Sequence, residues 1–199
     1  MSSLKSLPPD PLVLFGQWFE SAQKSKTIVD ATAMCVSTVD GNGHPDARMT
    51  LLKNFDARGF VFYTNLHSPK GQQLENHPWA ALTFHWDAEQ KQIRIQGRTE
   101  IVAEAEADAY WRTRPRLSQL GAWASKQSQE LPSRTVLLKD VARLALRYGT
   151  RPVPRPPYWT GVRVAPEKIE FWQGQPNRLH DRFLYARKAD GWLVRRLYP

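Results

Sequence analysis

A single cysteine, Cys35, stands in 199 residues, which excludes an internal disulfide framework and any zinc site built on thiolates. No apolar run approaches the roughly 18–20 residues of a membrane-spanning helix. The opening MSSLKSLPPDPL lacks the apolar middle of a secretory signal. Together these point to a cytoplasmic protein with no membrane partner. Glycine-rich phosphate loops are missing too: neither GxGxxG nor GxxxxGK[ST] occurs, so a dinucleotide fingerprint or Walker loop is unsupported. HExxH is absent, and His44, His67, His77, His85 and His180 show no metal-ligand spacing. Ser125, in GAWASKQS, lacks the flanking glycines of a nucleophile elbow. Acid is scarce, with 19 Asp and Glu against 28 Lys and Arg and a net charge of +9. None of the carboxylates sits in a setting that singles it out for catalysis.

The excess of cation favours anionic partners through long-range steering. Its placement argues against nucleic acid, whose binders cluster Lys and Arg along one face; here they are scattered singly through strand-like segments. At 41% hydrophobic the chain can bury a core, as one large domain or at most two small ones. Asp10 and Pro11 open an amphipathic helix over 10–25, with Leu12, Leu14, Phe15, Trp18 and Phe19 at helical spacing. AMCVSTVD and ARMTLLKNF flank DGNGHPD, a hairpin signal, and GFVFYTN follows as a third strand. Ser68 and Pro69 start a short helix. WAALTFHWD and KQIRIQGRTEIV read as two more strands. Helical stretches follow over EAEADAYWRTRP, RLSQLGAWASKQSQ and 133–148. A stiff connector, TRPVPRPPYW, leads to three closing strands near 159–165, 167–173 and 182–198. Six to eight strands without βαβ alternation predict a mainly β, α+β architecture, an antiparallel barrel or sheet with peripheral helices.

Three segments hold cations at strand or helix ends. In RMTLLK, Arg48, Thr50 and Leu52 share one strand face and Met49, Leu51 and Lys53 the other; taken alone, this fits two solvated strand-end charges as well as an anion clamp. FYTN is followed by a helix with Lys70 in its first turn, where a lysine opposes the dipole unless an anion is present. In YWRTRPRLSQLGAWASKQS, Tyr110 and Arg114 lie i,i+4 with Ser118 four residues on, a set suited to phosphate. Near the C-terminus FWQGQPNRLHDR gathers two aromatics and two arginines about His180, which a hairpin with a solvated basic tip also explains.

RMTLLK, FYTN, KGQQLENHP, RPRLSQLGAWASKQS, EFWQG and RLHDR, in this order over residues 10–199, together resemble the pyridoxamine/pyridoxine 5′-phosphate oxidase family. That resemblance implies an FMN-binding split barrel, one domain over 1–199 whose C-terminal strands from about 159 complete the active site. It implies a homodimer with FMN in clefts between subunits and formation of pyridoxal 5′-phosphate in vitamin B6 metabolism. The 4′ carbon of pyridoxamine or pyridoxine phosphate passes a hydride to FMN N5, and O2 reoxidises the flavin and leaves H2O2. By the same resemblance Arg48, Met49, Thr50, Leu51, Leu52, Lys53, Tyr63, Thr64, Lys70, Gln92, Gln127, Ser128, Trp172 and Arg182 are expected at FMN. Lys53, Tyr110, Arg114, Ser118, Arg178 and His180 are expected at the substrate, with Arg178 and His180 as the catalytic pair. The pattern departs at Pro69, where the family usually has Arg, and at the short arm SSLKSLPPDP, which replaces a longer basic segment. Two rivals are a same-fold FMN oxidase acting on another ring, such as a phenazine precursor, and a non-catalytic flavin- or nucleic-acid-binding protein.

Overall fold

The computed structural model describes residues 7–199, so the first part of the SSLKSLPPDP arm lies outside the described residues. Helix α1 (Pro11–Lys24) begins as its sequence dictates: Asp10 accepts the Leu12 N–H at 2.9 Å, and Pro11 fills the first turn. Its apolar stripe sets Phe15 among Phe19, Phe55, Phe60 and Phe84, with ring centroids 4.8–5.6 Å apart. Strands β1 (Ala33–Val39) and β2 (Pro45–Leu51) form the expected hairpin, with Gly43 at φ +85° in its turn. Next come β3 (Asn54–Asp56), β4 (Gly59–Asn65), α2 (Pro69–Asn76), β5 (Trp79–Trp86) and β6 (Lys91–Ile101). Helices α3 (Glu104–Thr113), α4 (Arg116–Ala124) and α5 (Arg134–Tyr148) precede β7 (Trp159–Gln173), β8 (Asp181–Lys188) and β9 (Gly191–Arg196).

The nine strands form one antiparallel sheet in the order β2-β1-β5-β6-β7-β4-β3, with β8 on β7 and β9 on β8. The segment ARMTLLKNF, expected as one strand, is two. Successive N–H groups of an extended chain point to opposite sides, and here each side has a different partner. The Leu52 N–H bonds Thr32 O and the Lys53 N–H bonds Val61 O, both at 2.8 Å, so the chain steps from the β1 edge to the β4 edge.

The closing strands also differ from expectation. The stretches 159–165 and 167–173 are one strand, β7, and 182–198 is a hairpin turned at Ala189-Asp190, with Gly191 after the turn at φ +125°. The two halves of β7 have different neighbours: 159–164 pairs with β4 and 168–173 with β8, while β6 runs along both. At the junction Gly97 pairs with Pro166 and Gln96 with Lys168, leaving Glu167 as an extra residue. A Cβ on Gly97 would lie 1.9 Å from Ala165 O, so only glycine fits there. The bulge moves the core-facing residues from Val162 and Val164 to Ile169 and Phe171, all at most 1% exposed. That phase change breaks the period-two pattern, which is why one strand reads as two.

Candidate functional site

Among the described residues, strand β2 pairs only with β1, and β4 beyond Val61 has β7 on one side and no strand on the other. Between these two edges lies a cavity of about 390 Å³. Arg48, Met49, Thr50, Leu51 and Lys53 line one wall, and Tyr63 and Thr64 the other. Lys70 comes from the start of α2, Tyr110 and Arg114 from the end of α3, and Gln127 and Ser128 from the turn after α4. Leu52 turns away into the core at 3% exposed and is not part of the lining.

Four cations line this space and no carboxylate does. Arg48 is held rigidly. Its guanidinium donates to Thr38 Oγ1 at 2.6 Å, to Gln73 Oε1 at 3.2 Å and to the Asp46 carboxylate, so its charge is matched. The Gln73 amide, with Arg48 beside it, holds the Asp46 carboxyl below the usual range. Lys70 is buried and has only neutral partners, Gln127 Oε1 at 2.9 Å and the helix-capping Ser68 Oγ at 3.2 Å. Burial, with Arg48 nearby, pushes its ammonium down to about 8. Lys53 has no side-chain partner among the described residues. The Arg114 guanidinium lies 4.6 Å over Trp159 and 5.7 Å from Trp111, and donates to Ser118 O at 3.2 Å. Burial lowers its pKa from the usual guanidinium value. Arg114 is not inside the helix, as its spacing implied: α3 ends at Thr113 and Arg114 caps it in an extended conformation, yet its side chain still lies beside the Tyr110 phenol.

Tyr63, Tyr110 and Trp159 form a cluster of near-parallel rings, with Tyr63 4.0 Å from Tyr110 and 5.1 Å from Trp159, and burial pushes the Tyr63 phenol up to about 12. Ser128 adopts φ +66°, a left-handed turn uncommon outside glycine, next to the Gln127 amide on Lys70. Among the described residues, two buried side-chain polar atoms have no hydrogen-bond partner: Thr50 Oγ1 and Arg114 Nε. Both residues line this one cavity. Leaving such an atom unpaired costs about 1–3 kcal/mol, so the cavity is built for a guest that accepts hydrogen bonds.

Ser118 stands apart, in an adjoining cavity of about 280 Å³ that shares Arg114 and Gln127 as a common wall. Gln92, Trp172 and Arg182 are also outside the main cavity. They form one cross-strand row over β6, β7 and β8. Ile93, Phe171 and Phe183, one residue along, face the core, so the row lies on the opposite face of the sheet. Arg182 donates to Glu170 Oε1 at 2.8 Å and to Tyr198 O at 3.0 Å. His180 packs 4.7 Å from Trp172, and its Nδ1 accepts the Gln175 N–H at 3.1 Å. Asn177 and Arg178 are both left-handed, at φ +58° and +59°, and the exposed Arg178 side chain has no partner among the described residues.

Comparison with known proteins gives this division a frame. The family model described as pyridoxamine 5′-phosphate oxidase matches residues 22–148. The chain belongs to this oxidase family. A second family model, the pyridoxine 5′-phosphate oxidase C-terminal dimerisation region, matches residues 159–199. Curated relatives named pyridoxine/pyridoxamine 5′-phosphate oxidase include one from Caulobacter vibrioides (strain NA1000 / CB15N). It is 56% identical over 190 residues, covering 96% of this chain and 85% of the relative. One from Myxococcus xanthus (strain DK1622) is 53% identical over 193 residues, covering 97% and 93%. Among solved structures, PhzG from Burkholderia lata 383, in complex with tetrahydrophenazine-1-carboxylic acid, superposes with a TM-score of 0.92. It is 30% identical and covers 98% of this chain and 95% of that one. In this oxidase chain the cavity residues all fall within the first matched segment, while Trp172, Arg178, His180 and Arg182 fall within the dimerisation region.

Sequence reasoning passed over several residues that hold the site. Asp46, two positions before Arg48 on the same strand face, was open to reading as its partner. Trp159 beneath Arg114 and Glu170 beside Arg182 carry no local signal, because each meets its partner only through the fold.

Proposed function

We propose that this chain is an FMN-dependent oxidase that converts pyridoxamine 5′-phosphate, pyridoxine 5′-phosphate or both to pyridoxal 5′-phosphate. The observation that carries this is the cavity in the barrel split, with four cations, no acid and both orphaned buried polar atoms. Lys70 at the N-terminus of α2, with the clamped Arg48, fits the FMN phosphate; Thr64, Gln127, Ser128 and the Thr50 hydroxyl fit the polar groups of the cofactor. Lys53, Tyr110 and Arg114 fit the substrate phosphate, with Ser118 at the shared wall. FMN, when bound, supplies the acceptor for the hydride leaving the 4′ carbon and is restored by O2, giving H2O2.

Gln92, Trp172, Arg178, His180 and Arg182 reach such a site only from a second copy, and the match to a dimerisation region supports a homodimer with sites between subunits. The row Met49–Cys35–Thr83–Arg94–Glu170–Leu184 runs unbroken across the outer face from the cavity edge to β8, a surface on which a second copy can lie. No helix among the described residues is long and apolar enough to cross a membrane.

On this reading the Gly174–Asn177 turn presents Arg178 and His180 to the substrate ring. The left-handed pair Asn177-Arg178 holds strain of a kind that clusters at functional sites. With His180 Nδ1 accepting from the backbone, the proton of the neutral ring sits on Nε2, free to donate to substrate. Arg178 orients the reacting 4′ substituent and assists its proton loss, and positioning is the main contribution of these side chains. In steady-state assays with pyridoxamine 5′-phosphate, Arg178→Ala and His180→Ala each lower kcat by about 10²-fold or more with FMN still bound. Full activity in Arg178→Ala would refute its role, and no turnover by the unmodified protein would refute the function. The likeness to PhzG keeps a phenazine-type ring as the second reading; a phosphate grip at Arg114 has no use on such a substrate.

A further inference from the structure

Helix α3 lies across the first half of β7, and the two elements run in opposite directions with closely matched repeats. Four helical residues advance about 6 Å and two strand residues about 6.8 Å, so Glu106, Tyr110 and Arg114 can meet Arg163, Gly161 and Trp159 in turn. The first and third of these meetings are direct, and the second runs through Tyr63 on β4. Arg114 stacks 4.6 Å over Trp159. Tyr110 stacks on Tyr63, whose register partner is Gly161. A Cβ at Gly161 would come within 3.0 Å of the Tyr63 ring and 2.8 Å of Val102, so the floor must be bare there. At the third point Arg163, 1% exposed, donates through one nitrogen to both Glu106 oxygens at 2.7 and 2.8 Å.

The same guanidinium also bonds Asp56 at 3.1 Å and lies 3.4 Å from Glu100. Asp56 is on β3 and Glu100 on β6, so within this cluster only Glu106 ties α3 to the strand. Ala107 and Trp111 bury the helix, and the Trp111 indole donates to Val153 O at 2.8 Å, a bond to the connector before β7 and not to the strand. Asp108, bonded to Arg155 at 2.5 Å, fastens the helix to the connector before β7.

We infer that Arg163 and Glu106 are positioning residues that set the register of α3 on β7 and so aim Tyr110 and Arg114 at the substrate phosphate. This rests on the function proposed above and adds a residue pair outside the cavity lining to it. Loss of the tether lets the helix shift along the strand by a fraction of a turn, which moves the phosphate grip and leaves the cofactor side, on β2 and α2, in place.

Asp56 supplies the control, because Asp56→Asn disturbs the same buried guanidinium from a strand instead of from α3. The FMN-loaded full chain is assayed as Glu106→Ala, Glu106→Gln and Asp56→Asn. The readouts are KM and kcat for pyridoxamine 5′-phosphate, the Kd of inorganic phosphate, the FMN Kd and the melting temperature. Expected is a rise of about tenfold in KM and phosphate Kd for Glu106→Ala, with kcat and FMN affinity unchanged and partial rescue in Glu106→Gln. Asp56→Asn lowers the melting temperature to a similar extent but leaves KM and phosphate Kd alone. Equal KM shifts in the Glu106 and Asp56 variants, or a loss of melting temperature with KM unmoved in Glu106→Ala, would overturn the inference and leave the function standing. No turnover by the wild type would overturn the function and this inference with it.

Discussion

Arg114→Ala raises KM for pyridoxamine 5′-phosphate about a hundredfold and changes kcat little. The guanidinium is held by Trp159, Trp111 and the Ser118 carbonyl, so its orientation is set before substrate arrives. Its Nε is buried with no hydrogen-bond partner among the described residues, and the residue lines the cavity. A charge-assisted bond to phosphate contributes about 1.5–3 kcal/mol, and a hundredfold corresponds to roughly 2.7 kcal/mol. The phosphate takes no part in the bond changes at the 4′ carbon and is unchanged in the reaction. Its contacts therefore bind ground and transition states alike, and their loss appears in KM. Arg114→Lys restores little, because an ammonium cannot reproduce the planar donor fork. The measurement is a pair of saturation curves with pyridoxine 5′-phosphate and pyridoxine. The wild type strongly prefers the phosphate, and Arg114→Ala loses that preference without losing the residual rate on pyridoxine. Equal wild-type rates on both would favour an oxidase of another ring.

Lys70→Met weakens FMN binding by about 30- to 100-fold and removes most of its pH dependence above pH 8. The ammonium is buried, has only neutral partners and sits near Arg48, which together bring it down to about 8. The sign follows from that depression. Below pH 8 the empty site carries the charge and attracts phosphate; above it the empty site is increasingly neutral. A bound phosphate favours the charged form and raises the pKa again. FMN binding therefore takes up a proton between about pH 8 and the higher pKa of the occupied site, and affinity falls by up to tenfold per pH unit there. Riboflavin, which lacks the phosphate, shows a much smaller dependence. Titrations at pH 7.5, 8.5 and 9.5, followed by quenching of flavin fluorescence, check both statements. A flat profile for the wild type, or an unchanged one in Lys70→Met, would show that Lys70 does not face the phosphate.

Much of the fold was legible because its signals are local. Asp10 with Pro11, Ser68 with Pro69 and the Asp-Gly-Asn-Gly turn each act within a few residues, and each appears where expected. The β7 fork was not legible: its cause is the close approach of Gly97 to Ala165, which needs two strands already paired. The break at Leu52 and Lys53 is likewise written in their partners, Thr32 and Val61.

The site divides in the same way. Arg48, Lys53, Lys70 and Arg114 read singly as charges at element ends, and only the family resemblance gathered them before the cavity did. The burial of Lys70 has no sequence signature, since a first-turn lysine is commonly solvated. Glu170 meets Arg94 across 76 positions and Arg182 across 12, and neither spacing points to the other. Gln92, Trp172 and Arg182 do share one sheet face, but none of them lines the cavity of their own chain. The residues expected at the site thus fall into two groups, one lining the cavity and one in a row across β6, β7 and β8.

The central claim is that the cations in the barrel split hold a flavin against a phosphorylated vitamer. Anaerobic mixing of the FMN-loaded protein with pyridoxamine 5′-phosphate tests it most directly. The account predicts that the visible flavin absorbance bleaches within the turnover time, returns when air is admitted, and does so with one equivalent of pyridoxal 5′-phosphate formed per flavin reduced. A flavin spectrum unmoved by saturating pyridoxamine 5′-phosphate, in protein that holds FMN stoichiometrically, would contradict it.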